Sequence, residues 1–152
     1  MQIIKNNKDA KMTNSTNMTD LLGTWELLAW RSYRDGEFYK FPMGEDGKGQ
    51  LIYTKEGIMS GFLMRADFGS EVPGSDTKAS KCLSYAGKFR IEGDEVIHDV
   101  SLATIPEWMG TPLIRTMEWR GEQLLLKTTP QSGRDGAKYS NELLWSRRET
   151  VL

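Results

Sequence analysis

The chain of 152 residues contains one cysteine, one histidine and no long apolar run. Cys82 has no partner for an internal disulfide, and together with His98 it cannot supply a four-ligand Cys/His zinc site. Residues 1–20 are polar and lack the apolar block of a signal peptide, and no segment approaches the roughly 18 apolar residues of a membrane helix. We therefore expect a metal-free cytoplasmic protein that does not insert into a membrane, with a disordered polar tail over residues 1–20.

The sequence also lacks an excess of charge of either sign. Twenty Lys and Arg residues stand against 21 Asp and Glu residues, for a formal net charge of −1. This balance does not favour nucleic acid or anionic lipid as a partner. Common catalytic and phosphate-binding motifs are missing as well: we find no Gly-rich loop leading into a helix, no Gly-x-Ser-x-Gly and no His-Glu-x-x-His. We accordingly expect no cofactor.

What the chain does contain is a series of short β-rich runs separated by Gly, Asp and Pro. The length suits one domain, which we place at residues 21–152. Sequential hairpins without crossover helices predict an all-β fold, a single antiparallel up-and-down β-barrel of eight to nine strands. The expected strands are 25–34, 38–41, 50–54, 58–64, 82–91, 95–103, 113–119, 123–129 and 138–147. Two longer loops, 65–77 and 104–112, interrupt the pattern, and loops of this kind often cover the mouth of a barrel.

Several segments in order carry a family resemblance. They are LLGTWELLAW at 21–30, FPMGEDGKGQLIYTKEGIMSGFLMR at 41–65, SYAGKFRIEGDEVIHDV at 84–100, IPEWMGT at 105–111, RTMEWRGEQLLLKTTP at 115–130 and LLWSRR at 143–148. This series resembles the bacterial and fungal lipocalin-like domain family. The resemblance implies a calycin-type barrel in which Gly23 and Trp25 lie at the closed end and Arg147 or Arg148 packs over the indole. Secretory lipocalins carry a signal peptide and disulfides, and the lack of both here argues against an extracellular carrier.

Alternation along each strand assigns an inner face to the predicted barrel. On strand 58–64 it selects the even-numbered residues, and on strand 95–103 it selects the even-numbered residues through Leu102. On strand 25–34 the odd-numbered set that begins at Trp25 competes with Leu28 and Trp30. The candidate ligand-binding residues are His98, Arg115, Tyr53, Tyr85, Asn141, Phe62, Met64, Met117 and Trp108.

Structural roles compete with ligand binding at most of these positions. A buried His is commonly a hydrogen-bonded part of the core, so His98 has a structural alternative. A bulge in its strand would turn Arg115 outward, and Tyr53 and Tyr85 are also ordinary core aromatics. An inward Arg115 would need a carboxylate, backbone carbonyls or an anionic ligand group, because an ionised guanidinium is costly to desolvate alone.

Three functions are consistent with these residues. The first is a binding protein that holds a small hydrophobic molecule inside the barrel. The second is a cofactor-independent cyclase or isomerase for a natural-product-type substrate, since some relatives in lipocalin-like families have such activities. The third is a structural or interaction module, for example a homodimer with Trp30 at its interface.

Overall fold

The computed structural model describes residues 16–74 and 78–149, and antiparallel strands dominate this part of the chain. The strands are β1 Gly23–Arg34, β2 Glu37–Lys40, β3 Lys48–Tyr53, β4 Ile58–Met64, β5 Cys82–Glu92, β6 Glu95–Ala103, β7 Pro112–Arg120, β8 Gln123–Lys127, β9 Gln131–Ser132 and β10 Lys138–Arg147. One helical turn, α1 Met18–Leu21, precedes them, and 3-10 turns occur at Phe68–Ser70 and Pro106–Trp108. No helix in the described ranges is long and apolar enough to span a membrane.

The first and last long strands close the sheet into a barrel. β1 pairs with β3, each of β3 to β7 pairs with the next strand along the chain, and β8 pairs with β10. β10 pairs back onto β1, with Trp25 opposite Arg147. The result is the predicted all-β antiparallel barrel, closed by eight strands, with β2 and β9 as short additions. The two-residue strand β9 lies in a Gly-rich segment that was expected to be a loop, and it pairs only with Lys138 and Tyr139.

The hairpin turns follow from local sequence. Asp35 and Gly36 form the two-residue loop between β1 and β2, and both have positive φ values, 50° and 82°. Such loops require that conformation, and Asp-Gly supplies it at low cost. Glu92 pairs with Glu95 and Arg120 with Gln123 across two further two-residue turns.

Residues 16–21 pack at one end of the barrel. Of the tail predicted over residues 1–20, residues 1–15 lie outside the described part of the chain, whereas Met18–Leu21 form α1 and Leu21 is completely buried. The backbone N–H of Asn17 donates to the Asp20 carboxylate at 2.8 Å, which caps the turn. Thr16 accepts a hydrogen bond from the Trp119 indole at 2.6 Å. These contacts over a barrel end hold residues 16–20, whose polar composition alone indicated a tail.

A bulge in β1 decides between the two faces that the sequence left open. The pairing with β10 shifts between Leu27 and Ala29, which leaves Leu28 as the extra, exposed residue. Trp25 and Leu27 face inward before the bulge, whereas Ser32 is buried and Trp30 packs against the core after it. One extra residue therefore reverses the alternation in mid-strand.

A second bulge lies between β5 and β6 and corrects one predicted inner position. Gly87 pairs with Val100 and Ala86 with Leu102, so Ser101 is the extra residue and Leu102 is 65% exposed rather than inward. The backbone approaches very closely here, because a Cβ at Gly87 would lie 2.0 Å from the carbonyl oxygen of Asp99. Only glycine fits at this position.

The inner face of β4 is the opposite of the predicted one. Met59 and Leu63 are buried, whereas Ile58 and Phe62 are exposed, so the odd-numbered residues face the interior. Apolar residues occur on both faces of this strand, and Gly61 interrupts the inward set. Alternation therefore gave no clear choice, and a shift of one residue inverts the whole assignment.

Candidate functional site

A cavity of about 120 Å³ lies inside the barrel, between its packed core and the 3-10 turn at Pro106–Trp108. Aromatic and aliphatic side chains form most of its wall, and a small number of polar groups interrupt them. The lining residues are Trp30, Leu51, Gly61, Phe62, Leu63, Leu83, Tyr85, His98, Trp108, Arg115, Leu126, Thr128, Asn141, Leu143 and Trp145. Protein interiors are close-packed and seldom leave voids much larger than one water molecule, so this space is unusual for a core.

The opposite end of the barrel is closed by Trp25 and Arg147. The Arg147 guanidinium carbon lies 4.3 Å from the centroid of the Trp25 ring, and Trp25 is completely buried. Arg147 also donates to the backbone carbonyls of Asp20, at 2.5 Å, and Leu22. A Cβ at Gly23 would lie only 2.9 Å from Arg147 Nη1, so glycine leaves room for the guanidinium. Arg148, the alternative candidate, instead lies 3.6 Å from the Glu26 carboxylate.

The polar centre of the cavity wall is a chain of three rings. The Tyr53 hydroxyl lies 2.7 Å from His98 Nε2, and the Tyr85 hydroxyl lies 3.0 Å from His98 Nδ1. Strands β3, β5 and β6 hold these side chains on their inner faces. Tyr85 in turn packs edge-on against Trp108, with ring centroids 5.4 Å apart. His98 and Tyr85 line the cavity, whereas Tyr53 lies behind His98 and is only 1% exposed.

Burial sets the protonation states of this chain. Desolvation, with a smaller contribution from the positive charge of Arg115, lowers the pKa of His98 to about 3. Desolvation raises the pKa of both Tyr53 and Tyr85 above the ordinary value of tyrosine. All three groups are therefore neutral at physiological pH, because charging any of them would place an ion in a poorly solvated site.

Arg115 supplies the positive charge of the cavity. It extends from β7, and its Nη1 donates to the carbonyl of Ile114 at 3.0 Å. No carboxylate in the described ranges forms an ion pair with it, and no described Asp or Glu lines the cavity. The guanidinium thus keeps donors that no anionic group of the described protein engages.

Four further side chains with polar groups complete the wall. The Trp30 indole N–H donates to Asn141 Oδ1 at 2.9 Å, and the Asn141 backbone N–H donates to the Thr128 hydroxyl at 2.8 Å. Trp145 is 3% exposed, and its indole N–H has no hydrogen-bond partner among the described residues. A buried donor without a partner is uncommon and costly in a native structure.

An outer cleft of about 530 Å³ adjoins the cavity where β8 ends. β8 covers β7 only from Thr116 onward, so the Pro112–Arg115 part of β7 has no strand partner on that side. The cleft lies between this edge and the region of β9 and β10. Cleft and cavity share four lining residues: Trp108, Arg115, Thr128 and Asn141.

The predicted ligand-binding residues divide into two groups. The structure places six of them along the cavity wall: His98, Arg115, Tyr85, Phe62, Trp108 and Asn141. Phe62 does so although 44% of its surface is exposed. Three do not line the cavity: Tyr53 lies behind His98, Met117 is buried in the core, and Met64 is outside the lining set. Of the two longer loops, 104–112 contributes Trp108, whereas the described part of 65–77 contributes no lining residue.

Trp30 and Trp145 are the principal cavity residues that were not proposed as ligand contacts. The β1 bulge turns Trp30 inward, and a bulge leaves no clear mark in an apolar sequence. Trp145 lies on the predicted strand 138–147, but nothing in the sequence indicated an unpaired indole N–H. Its neighbours across the sheet, Leu27 in β1 and Leu124 in β8, are apolar and offer the indole N–H no side-chain acceptor.

The strand pairing defines a closed, eight-stranded antiparallel barrel of the lipocalin type. Residues 22–148 match the model of the lipocalin-like domain, and the chain belongs to this family. No curated protein shows significant sequence similarity to it.

Similar solved structures include bovine odorant-binding protein in complex with a selenium-containing odorant. Its sequence is 11% identical, its TM-score is 0.46, and the match covers 90% of this chain and 76% of that chain. Odorant-binding protein from bovine nasal mucosa has 11% identity and a TM-score of 0.46, with 91% and 77% coverage. Odorant Binding Protein OBP1 has 11% identity and a TM-score of 0.44, with 91% and 78% coverage.

Proposed function

We propose that this protein binds a small hydrophobic molecule inside its barrel. The observation that carries the proposal is the cavity of about 120 Å³, which side-chain packing leaves unfilled between aromatic and aliphatic walls. An apolar cavity of roughly 150 Å³ is enough to hold benzene. The favoured ligand is therefore compact, about the size of one ring or a short branched chain, and the outer cleft beside Arg115 offers it a route inward.

The second candidate is a cofactor-independent cyclase or isomerase, and the Tyr53–His98–Tyr85 chain is the observation that favours it. A neutral tyrosine hydroxyl backed by an imidazole can donate to an oxygen that becomes negative during a reaction. The two functions differ in the fate of the bound compound. Mass spectrometry and chromatography after prolonged incubation would show an unchanged ligand for a binding protein and an isomeric product for an enzyme.

The geometry gives less support to an interaction module built on Trp30. Its indole N–H is bonded to Asn141 and its ring lines the cavity, so it is not an outward contact residue. Measurement of the solution mass tests the homodimer hypothesis directly. The free, half-buried Cys82 fits a reducing compartment and supports the proposed cytoplasmic location.

A cavity-filling variant tests the binding proposal. Gly61 lies on the inner face of β4, and a Cβ there would have its nearest neighbour, Leu51 Cδ1, at an ordinary 3.6 Å. Gly61→Val should therefore fold and reduce the cavity. Ser60→Val adds an apolar side chain on the exposed face of the same strand and serves as the control.

The measurement is a two-dimensional NMR titration with single-ring and short-chain apolar compounds. We expect saturable shifts in the wild type and in Ser60→Val, and much weaker binding in Gly61→Val. Binding that is equal in all three proteins, or absent from the wild type, would show that the cavity is not a ligand site.

A further inference from the structure

The directions of the hydrogen bonds around the cavity indicate which chemical class of ligand the cavity accepts, provided that the proposed binding function holds. A neutral imidazole donates from one nitrogen and accepts at the other. Tyr53 and Tyr85 contact opposite nitrogens of His98, so one hydroxyl donates to the ring and the other accepts from it.

Burial decides which tyrosine is the donor. The Tyr53 hydroxyl makes no other hydrogen bond in the described structure and is enclosed in the core. If it accepted from His98, its own hydrogen would be buried without a partner, which costs free energy. Tyr53 therefore donates to Nε2, and the Nδ1–H of His98 donates to the Tyr85 oxygen. The Tyr85 hydrogen is then left without a described acceptor, on a residue that lines the cavity.

The other polar groups of the wall are donors too. Asn141 uses its carbonyl oxygen to accept from Trp30, which fixes the amide orientation and leaves the Nδ2 hydrogens unused within the described structure. Arg115 has unused N–H groups and a positive charge, and the Trp145 N–H has no partner in the described ranges. Apart from the Thr128 hydroxyl, which already accepts from the Asn141 backbone N–H, these polar side chains present unused donors and one cation, with no carboxylate among the described residues of the wall.

We propose that the ligand is a compact apolar carboxylic acid, bound as its carboxylate between the Arg115 guanidinium and the Tyr85 hydroxyl. A carboxylate only accepts hydrogen bonds, and it compensates the one charge that the described wall leaves unpaired. The apolar remainder of the ligand lies among the leucine and tryptophan side chains of the cavity.

Three probes with the same ring separate charge from shape: benzoate, benzamide and toluene. We expect the wild type to bind benzoate at least tenfold more tightly than benzamide or toluene in NMR or calorimetric titrations at neutral pH. Arg115→Gln should remove this preference, and Tyr85→Phe should weaken benzoate binding roughly tenfold while changing toluene binding little. Arg120→Gln removes the same charge from an exposed hairpin position and should leave benzoate affinity unchanged.

A second measurement does not depend on any ligand or variant. His98 is the only histidine, so its imidazole nitrogens give unambiguous ¹⁵N signals. We expect the tautomer with the proton on Nδ1.

Each outcome has a defined meaning. An Nε2–H tautomer overturns the assigned hydrogen-bond direction and with it the acid specificity. Equal affinity for the three probes overturns the acid specificity but leaves the binding function intact. If none of the probes binds the wild type, both proposals fail.

Discussion

Protonation of His98 should couple the stability of the fold to pH. The pKa of His98 is about 3 in the folded protein, against 6.5 for an ordinary imidazole. As pH falls below 6.5, the unfolded chain takes up a proton that the folded chain does not bind until pH approaches 3. The stability associated with a neutral His98 is therefore complete above pH 6.5 and decreases as pH falls from 6.5 toward 3.

The magnitude follows from the width of this interval. One proton of difference between the two states changes the free energy of unfolding by about 1.4 kcal/mol per pH unit. Between pH 7.5 and 4.5 the loss assigned to His98 is about 2 to 3 kcal/mol. No solvent screening reduces this value, because the side chain is 1% exposed.

The assay is urea unfolding of the wild type and His98→Gln across this pH range. Glutamine keeps a donor and an acceptor for Tyr53 and Tyr85 but does not titrate, so the difference between the two proteins isolates His98 from the carboxylates. We expect the wild type's advantage in unfolding free energy to shrink by about 2 to 3 kcal/mol from pH 7.5 to 4.5. A constant difference, or an NMR titration of His98 with a midpoint near 6.5, would refute the burial argument.

Two further predictions concern the closed end and the β5–β6 bulge. Arg147→Ala should lower the free energy of unfolding by about 2 to 3 kcal/mol, because it removes the cation over Trp25 and two donors to backbone carbonyls. Arg148→Ala should lower it by less than about 1 kcal/mol, because it removes only an exposed ion pair with Glu26. Equal losses in denaturant titrations of the two variants would show that the stacked arginine has no special role. Gly87→Ala should prevent folding or cost more than about 3 kcal/mol, since its Cβ would overlap a backbone carbonyl, while Gly61→Ala should stay within about 1 kcal/mol of the wild type. A Gly87→Ala protein with a wild-type melting temperature would contradict the close approach.

The sequence was most informative where local chemistry decides the structure. Asp35-Gly36 specifies a two-residue hairpin by its backbone preferences alone, and the ordered series of such turns predicted the barrel. Alternation also predicted the inward residues of β6 from Val96 to Val100, and three of the predicted ligand-binding residues, His98, Tyr85 and Arg115, lie along one cavity.

The errors share one physical cause. Inner faces depend on register, and register was altered at Leu28 and Ser101 by bulges that only cross-strand pairing reveals. In β4 the two faces are similarly apolar, so the choice between Phe62 and Leu63 rests on the neighbouring strands. Hydrogen bonding between distant side chains depends on the tertiary structure, so the sequence could not show that the Trp145 indole N–H has no acceptor among the described residues.

The seam between β1 and β10 has a consequence for the timing of folding. Arg147 contacts Leu22 across 125 positions of the chain, whereas most other strand pairs join neighbours in sequence. Closing so large a loop is entropically expensive, and contacts between distant segments slow folding. On the ribosome the early hairpins can assemble as they emerge, but the barrel has no final strand to close against until β10 has been synthesised. We therefore expect ring closure to follow the synthesis of β10 and to be the slow step.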